Sequence, residues 1–573
     1  MKKITVVFSA ILCVAAFHVN AQLVKQSPKQ KMLDWQFSAF DKDGVYGAEI
    51  NKAYDFLKGK QPKKKPIIAM VGYGLDVQHE DLKHQLWTNP ADKTDGIDND
   101  KNGLVDDVNG WNFLGNANGD VLNKTNKVAD REFMRLKGKY LGIWFTGKEY
   151  VRFDEVKDQP VVVPKPANVA EFQYFRKQIL TASSIGAAYM QADVYTLMKY
   201  YLFHDFNTAM EAKHPDLTKV DGADFAKIAR NYPANVDSVK YYAAQFLTLG
   251  MTFRMPVAGV KAPLMSFAKY KEFFMTKYPQ YREKYETELR KVTDNRSVVG
   301  DDQNNINQKN YGNPDVFSNS AFYGTTAAGV IVAQRNNDLG INGIVDAQLM
   351  PLKVYPKDGE PFYKDIALAI RYAADHKADV IVLGMPNAIC PEVEAKWMSD
   401  ALVYAEKKGV LVIAPVWDMS EDLAEKMYYP NRHVSFAKDL GNFISVAASD
   451  EKGNPVKATN YSKTELDLYA PGVNISTTYL GSTYRISTGS LVAASVAAGV
   501  AGLIKSYYPN LTGTQLRTLM LNNVTTRAGV EVEKTIKKGR GSVTDLYLLK
   551  DLSISGGIVN AYQAVKAAAV LSK

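Results

Sequence analysis

The chain has 573 residues, of which 46% are hydrophobic and 23% charged, and a formal net charge of +9. That composition excludes a disordered, collagen-like or membrane-bundle chain, and the length implies several domains or one domain with a large insertion. The charge is spread along the chain and does not by itself indicate nucleic acid, while two cysteines exclude a disulfide-rich scaffold.

Residues 1–21 read as a signal peptide. Lys2 and Lys3 precede an apolar stretch from Ile4 to Phe17, and Val19-Asn20-Ala21 is a small-residue cleavage site. Cleavage there leaves Cys390 as the single cysteine, and no later apolar run reads as long enough to span a bilayer, so a secreted or periplasmic product is expected. Residues 22–65 read as a polar N-terminal extension ending in a basic linker, Lys58 to Pro66, of the kind that usually lies in solvent as a connector. Ile67-Ile68-Ala69-Met70-Val71 is short, apolar and bounded by Pro66 and Gly72, the pattern of a buried strand.

The segment 95–107 carries the spacing D-x-D-x-N-G. Alternating oxygen ligands around a glycine let a chain wrap a calcium ion. Asp98, Asp100, Asn102 and the Leu104 carbonyl would be ligands, with Asp106 or Asp107 completing the shell. The twelfth place is Asn109, not a bidentate glutamate. Calcium here would be structural, bracing the turn into Trp111-Asn112-Phe113.

Residues 116–298 are expected to form a mainly helical insertion, because 170–204, 238–253 and 265–292 carry helical periodicity with aromatic stripes. From 299 onward strands and helices alternate. Strands are expected at 347–354, 378–383 and 410–414, and helices at 363–376 and 393–408. That alternation predicts an α/β fold with a mostly parallel sheet covered on both faces.

Several blocks, in order, resemble the subtilisin-like serine peptidases (subtilases). Ile67 to Asp76, with His79-Glu80-Asp81-Leu82 after it, is similar to the family's first strand and D-[ST]-G block. Tyr323-Gly324-Thr325-Thr326-Ala327-Ala328-Gly329 is similar to H-G-T-H-V-A-G, and Ala470-Pro471-Gly472-Val473 to A-P-G-V. Gly489-Ser490-Leu491-Val492-Ala493-Ala494-Ser495 is similar to G-T-S-M-A-A-P, and Ser555 to Ala561 to the closing G-x-V-N-A segment. The resemblance implies a three-layer sandwich split by the insertion into 66–115 and 299–573.

It also implies a catalytic triad, and here the pattern fails. A serine nucleophile needs a histidine base held by a carboxylate. The matching positions are Gly72, Tyr323 and Leu491: no side chain, a phenol that is a poor base near neutral pH, and no nucleophilic atom. The oxyanion amide position is Asp418, whose carboxylate would repel a developing oxyanion. The groove edge that would bind a peptide by β-augmentation is Gly384-Met385-Pro386, and Pro386 has no N–H to give. The reading is an exported pseudopeptidase acting as a binding or assembly scaffold, with a protein or peptide partner engaged through the insertion. The alternative is an active endopeptidase with rearranged groups, its nucleophile Ser490 or Ser487.

Overall fold

The computed structural model describes Leu23–Val24 and residues 34–573, except 158, much of 204–266, 294, 318–321, 434–438, 539–540 and 573. The expected signal peptide and most of the expected helix at 238–253 lie outside these residues.

The centre is a nine-stranded sheet. In chain order its strands are β1 (Ile67–Gly72), β2 (Trp111–Asn112), β3 (Gln348–Lys353), β4 (Val380–Leu383), β5 (Leu411–Pro415), β6 (Phe443–Ser449), β7 (Leu468–Pro471), β8 (Thr525–Thr526) and β9 (Gly557–Ile558). The spatial order is β8-β9-β7-β6-β5-β4-β1-β3-β2. All neighbours are parallel except β8, which runs antiparallel to β9. β4, β5 and β6 are buried along their whole length, as near-continuous apolar runs must be when both faces are covered.

Side chains alternate between those faces with period two. Ile68, Met70, Val380, Val382, Leu411 and Ile413 join one core with α2 (Phe322–Val332) and α5 (Ser490–Tyr507). Ala69, Val71, Ile381, Leu383, Val412 and Ala414 join the other, with α3 (Tyr363–Asp375) and α4 (Glu392–Lys407). The expected α/β three-layer arrangement is therefore present.

Close backbone packing fixes how α2 and α5 run. A Cβ on Gly324, in the first turn of α2, would lie 1.7 Å from the Gly74 carbonyl oxygen just past β1. A Cβ on Gly502, near the end of α5, would lie 2.9 Å from Ile68 at the start of β1. Both helices thus run against β1 and deliver their first turns to its carboxyl end, the edge where open α/β sheets place their sites.

Three sequence expectations are corrected. Residues 35–57 are scaffold, not a polar extension: Trp35, Phe37, Ile50, Ala53 and Leu57 are buried in the α2/α5 core. The helix Ile50–Leu57 is amphipathic, so only its buried stripe is apolar. The basic linker is pinned, because the Lys63 and Lys64 amides both donate to the Ser506 carbonyl, at 2.7 and 3.2 Å. Beside its helices the insertion also holds an antiparallel sheet of Ile143–Phe145, Tyr150–Asp154 and Gln159–Val163. Finally, α5 is long and apolar enough for a membrane span by composition, but it is packed inside the protein, where a helix between sheet and helices must be apolar all round.

Candidate active site

The carboxyl ends of β1, β4 and β5 and the first turns of α2 and α5 meet at one edge. Gly72 ends β1, and a Cβ there would meet nothing within 4 Å. The space for a side chain exists and is empty of any functional group. Tyr73 follows, its ring 4.5 Å from Tyr355 and 5.0 Å from Tyr323 between centroids. Tyr323 also stacks on Phe322 at 3.9 Å and is 43% exposed. Burial pushes the Tyr73 hydroxyl well above its ordinary value, with Tyr323 adding to the effect. An aromatic stack thus occupies the ground between the aspartate and histidine positions. Leu491, in the first turn of α5, packs half-buried against the α2/α5 core.

Asp418 lies just beyond β5, and the structure gives it a setting that the sequence reading missed. Ser490 Oγ donates to Asp418 Oδ1 at 3.4 Å, and the Ser490 and Thr459 hydroxyls lie 3.4 Å apart. Burial raises the Asp418 carboxyl above its usual range, against Thr459, Lys534 and Ser490, which favour its charge. Lys534 comes from a hairpin of Glu531–Lys538 and Gly541–Leu548. Its side chain is fully buried, and its ammonium donates to the carbonyls of Lys457, at 2.9 Å, and Thr459. Burial draws its pKa down to about 7, with Asp418 pulling the other way. The hairpin is laced onto the same loops: Thr535 N–H donates to Lys457, Lys537 N–H to Ser420, and Lys537 Nζ to Glu421 at 2.6 Å. No local periodicity could have announced Lys534.

The groove edge is closed by the chain itself. Gly384 N–H donates to Val71 at 2.9 Å. The Met385 carbonyl accepts from Tyr355 Oη and the Pro386 carbonyl from Trp417 Nε1, each at 2.5 Å. Asn387 and Tyr429 exchange two backbone hydrogen bonds, at 2.9 and 2.7 Å. An incoming strand would have to displace these partners.

The alternative nucleophiles are enclosed, Ser490 at 2% and Ser487 at 7% exposure. Asp76 serves the turn, accepting from the Gln78 and Gly481 amides. His79 is fully buried, with Nε2 3.1 Å from the Thr483 carbonyl and Nδ1 accepting from the Asp81 amide at 3.1 Å. It is a hydrogen-bonded turn residue.

The acidic loop rearranges the expected ligand set. Asp98 accepts from the amides of Asn102 and Gly103. Asp106, expected beside Asp107, sits at φ 60° and turns back to accept from the Asp95 and Gly96 amides. The Leu104 amide donates to Asn102 Oδ1. Asp100 and Asp107 converge, together with His376 at the end of α3, with ligand atoms all within 4.8 Å of one another. Asn102 and Asn89 each donate to both carboxylates, and Tyr372 Oη donates to the fully buried Asp107 at 2.8 Å. Asp100 and Asp107 present carboxylate oxygens of the kind a hard cation takes, whereas Asn102 turns its amide nitrogen toward them and its Oδ1 to Leu104. Asp106 lies outside this cluster, and no sequence motif pointed to His376.

With this geometry in place, comparison with known proteins is informative. The sequence model of the subtilase family matches residues 63–541. Subtilisin BL of Lederbergia lenta is 32% identical over 206 residues, which are 35% of this chain and 70% of that protein. M-protease of Shouchella clausii is 32% identical over 206 residues, 35% of this chain and 50% of that protein. Among solved structures, the epidermin leader peptide processing serine protease of Staphylococcus aureus aligns with a TM-score of 0.35 at 18% identity, covering 44% of this chain and 64% of its own.

Proposed function

The chain belongs to the subtilase family, and we propose that it is an exported pseudopeptidase, a peptidase scaffold without hydrolytic chemistry that serves binding or assembly. One observation carries the reading: the edge where the triad would stand holds Gly72, an aromatic stack around Tyr323, and Leu491 packed half-buried against the core. None of these can activate a nucleophile. Asp418 adds negative charge where a developing oxyanion needs donors, and the self-capped edge at Met385 and Pro386 leaves little for a substrate strand to pair with. The basic, apolar and small-residue N-terminus supports export.

The insertion is the favoured partner surface. Phe145 and Val162, on opposite faces of its small sheet, and Val156 in the adjoining turn are exposed, apolar side chains that a protein or peptide partner would cover. A structural calcium ion belongs to the same reading. Asp100 and Asp107 would hold it, and its charge would relieve the repulsion between the two carboxylates.

Labelling with a serine-directed fluorophosphonate tests the central proposal. The folded protein should remain unlabelled under conditions that label an active subtilisin to completion. Specific modification of Ser490 or Ser487 would instead establish the rearranged endopeptidase.

A further inference from the structure

A cavity of about 690 Å³ lies at the opposite edge of the sheet from the lost triad. It is bounded by the linker at 62–65, His84 and Gln85, residues 334–336 and the last turn of α5. α5 spans 18 residues, so this site is roughly 25 Å from Leu491. The volume is within the range of small-molecule sites, about 300–1,000 Å³.

The charges on its walls do not cancel. Lys64 is held by Asp379 at 2.7 Å, and the one lining carboxylate, Asp346, is taken by Lys65 at 2.8 Å. Lys63 and Arg335 have no carboxylate partner within 4.0 Å among the described residues. Arg335 is fixed from two sides, with its guanidinium over the Tyr54 ring at 4.3 Å and a hydrogen bond from Nη1 to the Gly343 carbonyl at 2.5 Å. The end of α5 would ordinarily repel an anion, but its Ser506 carbonyl is covered by the Lys63 and Lys64 amides. The result is a preorganised concavity with excess positive charge, which focuses the field on an anion. Its remaining walls combine the side-chain amides of Gln85, Gln334 and Asn336 with the rings of Tyr54 and Tyr507. Amides match hydroxyl groups, and flat rings suit the faces of a pyranose.

We propose that this cavity binds an anionic saccharide, its charged group held by Lys63 and Arg335 and its ring against Tyr54 and Tyr507. The assignment is independent of the lost triad and of export.

Isothermal titration of the purified protein with sucrose octasulfate, sucrose and sodium sulfate tests it. The octasulfate should bind one to one, with affinity falling at least tenfold between 50 and 300 mM NaCl. Sucrose should give no heat, and sodium sulfate at matched sulfate concentration should not displace the octasulfate. Lys63→Glu, at an exposed side chain, should weaken binding at least tenfold without lowering the melting temperature. Arg335→Gln should weaken binding at least tenfold as well, while Arg335→Lys should retain most of the affinity. Unchanged binding by Lys63→Glu and Arg335→Gln would overturn the site. Displacement by sodium sulfate as effective as by the saccharide would overturn the saccharide assignment and leave a bare anion site.

Discussion

Replacing Lys534 by methionine probes how the former oxyanion position is held. The side chain is fully buried, and its ammonium serves two backbone carbonyls and faces Asp418. Methionine keeps most of the packing and removes both the donor and the charge. Two buried carbonyls left without this donor cost about 1–3 kcal/mol each, and Asp418 loses a neighbouring charge that favours its ionised form. Because burial has drawn Lys534 to about 7, only part of the charge effect operates at neutral pH, and a loss of about 3 kcal/mol is expected there from these contributions. Urea unfolding of parent and variant measures it. The pH dependence has a definite sign. The folded protein releases this proton near pH 7, whereas the unfolded chain holds it to the ordinary lysine value of 10.5. The unfolded state therefore binds more protons in that window, and the parent gains stability with rising pH, by at most about 1.4 kcal/mol per pH unit. The variant lacks this gain, so the gap should widen from pH 7 to pH 9, and other titrating groups cancel in the difference. In a double-mutant cycle, Asp418→Asn should reduce the cost of Lys534→Met by about 1 kcal/mol or more. A variant as stable as the parent, or a gap that stays constant from pH 7 to pH 9, would refute the reasoning.

Three further outcomes are expected. Gly72→Asp with Tyr323→His and Leu491→Ser should give peptide hydrolysis no faster than about tenfold over buffer, because Asp418 and the capped edge remain; turnover typical of a subtilase in a chromogenic assay would refute the role given to both. A calcium chelator should lower the melting temperature by several degrees, and Asp100→Ala with Asp107→Ala should abolish that sensitivity; melting unchanged by chelator would remove calcium from the protein. Glu394 is raised to about 7, first by burial, so its folded form keeps a proton that the unfolded chain loses near 4.5. Its contribution to stability is full below pH 4.5 and lost as pH rises through about 7, and Glu394→Gln should flatten that part of the stability profile in urea unfolding, an unchanged profile counting against the assignment.

The parts of the fold that were legible in sequence are those made by neighbours along the chain. β1, β4 and β5 announce themselves as short apolar runs because both faces are covered, and the glycines that frame the lost triad mark real close approaches, as at Gly324 against Gly74. The proposed losses at Gly72, Tyr323 and Leu491 were readable for the same reason: each sits in a block whose surroundings match the family pattern. What was not legible is set by distant partners. Lys534 reaches carbonyls about 75 residues away, and His376 joins an acidic loop centred near Asp100. Residues 35–57 look polar because α-helical burial needs only Ile50, Ala53 and Leu57 on one side.

The arrangement at the groove edge bears on whether the missing chemistry is the whole difference from a peptidase. If Gly72, Tyr323 and Leu491 were the only changes, the carbonyls after β4 would still wait for a substrate strand, and the protein would be a peptide binder with a dead centre. Tyr355 and Trp417 instead satisfy those carbonyls internally, and Asn387 pairs with Tyr429. A substrate strand would have to replace bonds already made in a part-buried setting, so it would gain little from the hydrogen bonds that normally drive β-augmentation. Recognition by this chain is then better sought away from that edge, on the exposed apolar side chains of the insertion and in the cationic cavity behind the sheet. The two lie on different parts of the fold, and a variant in one can be made without touching the other.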